Sequence, residues 1–349
     1  MSTTASKPTK SSKRRYILLL SVIVLVIAGW SAAWLYGRSV LADQLDRQMN
    51  NLAQSGLELT CTDLTIAGYP FRYEVSCQEM QSLDRAGTSS SLEALRAIAL
   101  IYNPWHVILE AKAPILMEAP LAGFNGEMTW ETARASVKFS REALGDLDAV
   151  IRKPEVAFEN ILTNGLISSD KAEIHLRTAP EQADALDGFA TIDALNLQSV
   201  SNLQETIDLR GHVQISGGTA MLAGADLVTL VRINNGELPV RLVLFEAVIG
   251  ESRIGANGDL LVNGDGTLSG TLNLTLGNAE QLLQILKPLF PPQNNAFGLV
   301  EGVIKSLKSA ETQVDGIPTI SLPVAIERGV VRVGFLPLGQ IPPLFAAGI

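Results

Sequence analysis

Along residues 16–36 the chain reads YILLLSVIVLVIAGWSAAWLY, an apolar run from Tyr16 to Tyr36 without a single charge. At 1.5 Å per residue it predicts a helix of about 31 Å, enough to cross the hydrocarbon core of a bilayer. The pattern then becomes amphipathic. Leu41, Leu45, Met49 and Leu52 recur at intervals of four, four and three, with Asp43, Gln44, Asp46 and Arg47 between them. Residues 37–56 therefore predict a stalk helix that continues the span and stops at Gly56. The stalk packs on the domain that follows; the alternative is a helix that binds a partner.

From residue 57 the period shortens to two. Leu57, Leu59 and Cys61 share one phase, and Leu64 and Ile66 the other, which predicts a bulge near Thr62 and Asp63. Phe71, Tyr73, Val75 and Cys77 alternate with Arg72, Glu74, Ser76 and Gln78, a strand with one buried face. The hairpin turn before it is Gly68, Tyr69, Pro70 and Phe71, with Arg72 leading out. Strand-like stretches recur at residues 95–102, 107–117 and 132–139, punctuated by Pro104, Pro114, Pro120 and Pro154.

Ala172, Ile174 and Leu176 alternate with Lys171, Glu173, His175 and Arg177, which puts His175 on a wet face. Ile207, Leu209, Val213 and Ile215 alternate with Asp208, Arg210, His212 and Gln214. Such alternation means an antiparallel sheet with one dry face. Residues 219–233 suit a helix before Asn235 and Gly236, and residues 240–249 a strand. Residues 254–262 and 267–276 flank Asn263, Gly264, Asp265 and Gly266, which is hairpin chemistry. Leu272, Leu274 and Leu276 point one way and form the candidate apolar ligand face.

Asn278 caps a short helix that ends at Pro288, and Phe297, Val300, Ile304 and Leu307 stripe another. Residues 320–327 and 330–335 make a last hairpin around Arg328 and Gly329. The uncharged tail after Arg332 tucks into the domain, with a membrane or a ligand groove as its other destinations. The fold class is mainly β, of the α+β kind. A transmembrane helix and a stalk helix precede an extended antiparallel β-sheet domain with a few short helices, over residues 57–349, with a sub-boundary near residue 200.

Charge orients this arrangement. Lys7, Lys10, Lys13, Arg14 and Arg15 precede the span with no acidic residue among them, and only Arg38 follows closely. An excess of Lys and Arg marks the cytoplasmic side. Residues 1–15 are then a basic cytoplasmic tail, and the chain beyond the span lies outside the cytoplasm. Trp30, Trp34 and Tyr36 suit the outer headgroup level and Tyr16 the inner one. A cleaved signal peptide is the rival reading, with Ser31 and Ala33 at its cleavage site. The apolar run is longer than a signal core and continues through that site.

Of the 27 basic residues five precede the span, which leaves 22 against 36 acidic ones and a net −14 outside. That balance argues against nucleic acid, which needs a basic footprint, and against long-range attraction to anionic headgroups. With 47% hydrophobic residues, much apolar surface must be buried in the external domain or offered to something. Cys61 and Cys77 each lie eight residues from Tyr69, so hairpin pairing brings them together, and an oxidising periplasm joins them. The closed loop of about 15 residues is worth roughly 3 kcal/mol in chain entropy. The alternative is two buried thiols held apart by the bulge.

A basic N-terminus, one span, a stalk helix and the hairpin CTDLTIAGYPFRYEVSC resemble an alphaproteobacterial group filed as domain of unknown function 2125. The resemblance covers essentially the whole chain and is most specific at the turn between the cysteines. It implies an inner-membrane-anchored periplasmic protein and brings no activity with it. Residues 240–276 also resemble the recurring hairpin of AsmA-like envelope proteins, whose one-face-apolar sheets are linked to lipid traffic.

Catalytic and metal motifs are absent from the sequence. His106, His175 and His212 fall at no ligand spacing, and there is no H-E-x-x-H, C-x-x-C, G-x-S-x-G, phosphate loop or dinucleotide glycine pattern. No cofactor is expected, and each histidine reads as solvated or structural. Three functions follow. The first is a membrane-tethered, non-catalytic protein that binds or shields a lipid-like ligand in cell-envelope maintenance. The second is a structural or assembly factor of an envelope complex whose dry face is its own core. The third, an enzyme, requires a hollow that joins a histidine to a carboxylate. The charge bias makes a direct prediction: a reporter active only in the periplasm, fused after Ile349, is active, and a signal only from a cytoplasmic reporter would reverse the orientation.

Overall fold

The computed structural model describes residues 12–140, 144–160, 164–197, 203–289, 295–308 and 311–345. Lys7 and Lys10, which contribute to the charge bias, lie outside the described residues. Helix α1 (Ser12–Ser55) is unbroken over 44 residues, about 66 Å. Span and stalk are two stretches of one rod, and the rod is long and apolar enough to cross a membrane. It stops where expected: Gly56 adopts a left-handed φ of 98°, and its N–H donates to Ala53 O at 3.0 Å.

Past Gly56 the chain turns to strands. β1 (Leu57–Thr62) and β2 (Thr65–Ala67) are separated by Asp63, which takes a φ of 52°. The phase change read in the sequence is therefore a break between two strands. β1 pairs with β4 (Glu79–Asp84), whereas β2 pairs with β3 (Arg72–Cys77). The Cys61–Cys77 disulfide ties the two arrangements together. The hairpin turn reaches back to the rod. Trp34 is 7% exposed, stacks on Tyr73 and meets Tyr69 edge-on, with ring centroids 5.6 Å apart in both cases. Trp34 Nε1 donates to Arg72 O at 3.1 Å, and the Tyr73 hydroxyl donates to Trp34 O at 3.2 Å. Gly37 makes this approach possible, because a Cβ there would lie 2.1 Å from the Tyr73 hydroxyl.

Nine strands follow as β5 (Ser89–Leu100), β6 (Asn103–Ala119), β7 (Phe124–Thr129), β8 (Thr132–Phe139), β9 (Leu144–Arg152), β10 (Glu155–Glu159), β11 (Asn164–Ser168), β12 (Lys171–Ala179) and β13 (Gln182–Leu195). After residue 200 come β14 (Ile207–Ile215), β15 (Glu237–Ile249), β16 (Ser252–Asn263), β17 (Leu268–Gly277), β18 (Thr312–Val314), β19 (Ile317–Glu327), β20 (Val330–Val333) and β21 (Leu336–Gln340). Every pairing is antiparallel, and the main order is β2-β3-β5-β6-β8-β9-β12-β13-β14-β15-β16-β17-β19-β20-β21. β7, β10 and β11 branch from the second half of β6. Among the described residues no pairing joins β2 to β21, so the sheet is open. β13 pairs with β14 across residue 200, so the ladder runs straight over the expected sub-boundary.

Three helices cover the C-terminal strands. In α2 (Leu227–Ile233) the Asp226 side chain caps the helix through Thr229 N–H at 2.7 Å, and Leu230 and Val231 pack on Leu238 and Val262. The single helix expected over residues 219–233 is thus a 3-10 turn (Gly218–Ala223) followed by α2. α3 (Ala279–Leu286) and α4 (Asn295–Leu307) set Leu282 and Ile304 onto Leu276, Ile320, Leu322 and Val324. Asn278 stands at the N-cap of α3, yet its side chain donates to Glu251 O at 2.7 Å and does not cap the helix. The tail tucks in: Leu344 N–H donates to Gly266 O at 2.8 Å, and Phe345 packs beside Leu238 and Val262.

The disulfide is the cross-link most open to test. Reduction, or Cys77→Ser, is expected to lower unfolding free energy by about 3 kcal/mol, read by denaturant titration with and without reductant. Non-reducing peptide maps are expected to link the peptides containing Cys61 and Cys77.

Candidate functional site

Antiparallel register puts partner residues on the same side of the sheet, so paired side chains form rows across the strands. One row includes Ala133, Ile151, Ala172, Ile192, Leu209 and Ala247. The next includes Ala135, Ala149, Ile174, Ala190, Gly211 and Phe245. A third includes Val137, Leu147, Leu176, Gly188, Val213 and Leu242. All three run from β5 to β19, eleven strands, without a polar side chain. The sheet has one continuous apolar face.

That face is covered unevenly. At its C-terminal end α3 and α4 fill it. Leu276 is buried there, and Leu272 and Leu274, partly buried, pack against the same core, so the three leucines read as a ligand face belong to the packing of this domain's own core. The centre is different. Ile174 is 40% exposed and Phe245 37%, Ala190 is exposed, and a Cβ at Gly211 would meet nothing within 4 Å. Alanines and glycines at these positions leave room above the strands. The arrangement offers dispersion contacts and no hydrogen bond.

The opposite face carries the charges. Arg134 bridges to Glu110 at 3.2 Å, Lys138 to Asp146 at 3.1 Å, Arg177 to Asp187 at 3.0 Å and Arg241 to Asp259 at 3.1 Å. Asp187 is buried, but each of the other, exposed pairs is worth about 0–1 kcal/mol, so they fix which side is wet more than they stabilise. On this face a hollow of about 430 Å³ is lined by His175, His212, Asp148, Asp187, Arg177 and Phe189, among others. His175 Nδ1 lies 2.8 Å from Asp148 Oδ1, and His212 Nε2 lies 2.6 Å from Asp187 Oδ1. His175 is therefore not merely solvated but paired, as is His212; His106 Nε2 lies 2.9 Å from Ser136 Oγ.

Burial pushes the Asp187 carboxyl up, but hydrogen bonds from His212, Arg177 and Gln214 outweigh it and hold the group below its ordinary 3.8. A histidine oriented by a carboxylate has the geometry of a general base. The hollow's lining contains no serine, threonine or cysteine for it to activate. Among the described residues no group of three His, Cys, Asp or Glu side chains suits a metal ion. Spacing could not reveal these pairs, because they depend on the register of β9 with β12 and of β13 with β14.

Of the turn residues Gly68, Tyr69, Pro70, Phe71 and Arg72, the structure bonds Tyr69, Pro70 and Arg72 to α1, far along the strand order from the open centre and from His175 and His212. The profile of a bacterial family, DUF2125, described as "Uncharacterized protein conserved in bacteria", matches residues 34–342. The chain belongs to DUF2125. The match to DUF2125 opens at Trp34, the residue on which the hairpin turn closes, and takes in every strand described above. No curated protein and no solved structure matches the chain, and AsmA-like proteins are not among the matches.

Within this DUF2125 chain Asp187 permits a pH test. A carboxylate whose folded pKa is depressed contributes stability that is full above its ordinary value of 3.8 and is lost as pH falls through its lower folded value. Asp187→Ala is expected to cost about 2–3 kcal/mol at neutral pH, because it strips charge-assisted bonds from His212 and Arg177. The gap between wild type and variant, measured by denaturant titration, is expected to close as pH drops below 3.8.

Proposed function

We propose that this protein is a single-pass anchored component of the bacterial inner membrane, with its N-terminus in the cytoplasm and its sheet in the periplasm. On this reading the apolar face holds or shields an acyl chain of a lipid-like ligand in cell-envelope maintenance, without catalysis. The observation that carries the proposal is the uncovered centre of the face, where Ile174, Ala190, Gly211 and Phe245 are consecutive partners on β12 to β15. Burying one acyl chain contributes about 0.8 kcal/mol per methylene. Ten methylenes give about 8 kcal/mol before the costs of ordering the ligand, a useful affinity without any polar contact. The net −14 of the external part supports a ligand held by apolar contact and not by charge.

A second reading, a structural or assembly factor, draws on the other end of the same face, where α3 and α4 already serve as its cover. The two part company in one experiment. The full chain is placed in vesicles containing a lipid with a photoactivatable group on its acyl chain. Cross-links are expected in peptides bearing Ile174, Ala190 or Phe245. Ile174→Glu is expected to remove them while leaving the fold intact, since that side chain is partly in solvent. Cross-links confined to residues 16–36 would overturn lipid binding and leave the structural reading.

A further inference from the structure

We propose that the hairpin turn at residues 68–72 and the neighbouring turn between β5 and β6 form a second membrane contact, seated beside the span where the headgroups meet the acyl chains. The inference rests on the anchor reading of α1 and adds a surface to it. Depth is the first argument. Lys13, Arg14 and Arg15 fix the inner end of the span near Tyr16. Twenty residues are needed to cross about 30 Å of hydrocarbon, so the outer boundary falls near Leu35. Trp30 lies only about 21 Å along the helix from Tyr16, and tilt would place it deeper. Yet Trp30 Nε1 donates to Pro70 O at 2.9 Å, and Ser31 Oγ lies 2.8 Å from the Tyr69 hydroxyl. A turn hydrogen-bonded to Trp30 and Ser31 cannot stand clear of the bilayer that Trp30 and Ser31 enter.

The chemistry of the surface agrees. Phe71 is 65% exposed, Tyr102 79% and Trp105 54%, and Tyr69 is half exposed. These aromatics converge because Ile101 N–H donates to Phe71 O at 3.0 Å and Arg72 pairs with Leu100. Amphipathic rings of this kind prefer the boundary between headgroups and acyl chains. The polar atoms that would suffer at that depth are already engaged, since Pro70 O, Arg72 O and the Tyr69 hydroxyl bond to the helix. Arg72 itself is paired with Glu74 at 3.0 Å, so the contact is aromatic and not a cationic one aimed at phosphate.

Phe71→Cys and Tyr102→Cys allow a test in the full chain, because the native cysteines are joined in the disulfide and leave the new thiol as the reactive one. Each variant carries an environment-sensitive fluorophore and is reconstituted in phosphatidylcholine vesicles doped with lipid bearing a nitroxide near the headgroup. Phe335→Cys, fully exposed between β20 and β21, is the control in solvent, and Leu20→Cys with a nitroxide deep in the acyl chain is the control in the span. Quenching at positions 71 and 102 is expected to exceed that at 335 at least two-fold. Quenching equal to that at 335, with Leu20 quenched, would overturn the second contact alone. An unquenched Leu20 would remove the anchor reading and this inference together.

Discussion

Register is the constraint on which the rest of this structure depends. Side chains alternate with a period of two, so a slip of one residue between any two neighbouring strands would turn everything downstream inside out. Eleven strands keep three apolar rows aligned from β5 to β19 despite several irregularities. β15 shows how this is done. Leu242 faces the apolar side, and so does Phe245, three residues on; the odd interval is absorbed by a bulge at Val243 and Leu244. If the strand alternated regularly through Val243 and Leu244, Ala247 and Ile249 would face water, and Glu246 would enter the dry side. The ion pairs on the opposite face oppose the same slip, since each requires its own partner directly across or diagonal to it.

The second fixed point is the contact between helix and hairpin. It joins the part of the chain with no polar pattern to the part that is nothing but pattern. Trp34 is enclosed by Tyr69 and Tyr73, Gly37 provides the space, and the Cys61–Cys77 bond holds the strands on either side of the turn at their base. The apolar face and the charged hollow are both built from strands that lead away from this point.

The sequence revealed periods well and partners poorly. The span, the stalk and its stop at Gly56, the strand from Lys171, the hairpin at Asn263 and the two cysteines were all legible, because each follows from local pattern or turn chemistry. The phase change at Asp63 was visible, but whether it meant a bulge or two strands depended on β4, which lies further along the chain. The run Leu242 to Phe245 hid its bulge, since four apolar residues in a row carry no phase. Leu272, Leu274 and Leu276 were correctly read as one face, yet their packing against the domain's own core was decided by elements elsewhere in the chain, and no alternation records what a helix will cover. The pairing of His175 with Asp148 was invisible for the same reason, since it is made by register between strands separated by two others in the chain.

The unbroken rod has a mechanical consequence. A tether made of a flexible linker lets its cargo tumble. Here α1 runs from Ser12 to Ser55 without a hinge and is gripped at Trp34, well before its end. Helix and sheet therefore move as one body about that grip. Any rotation of the helix about its own axis swings the open centre at Ile174 through the same angle, so the azimuth of the helix in the bilayer sets the compass bearing of the apolar face.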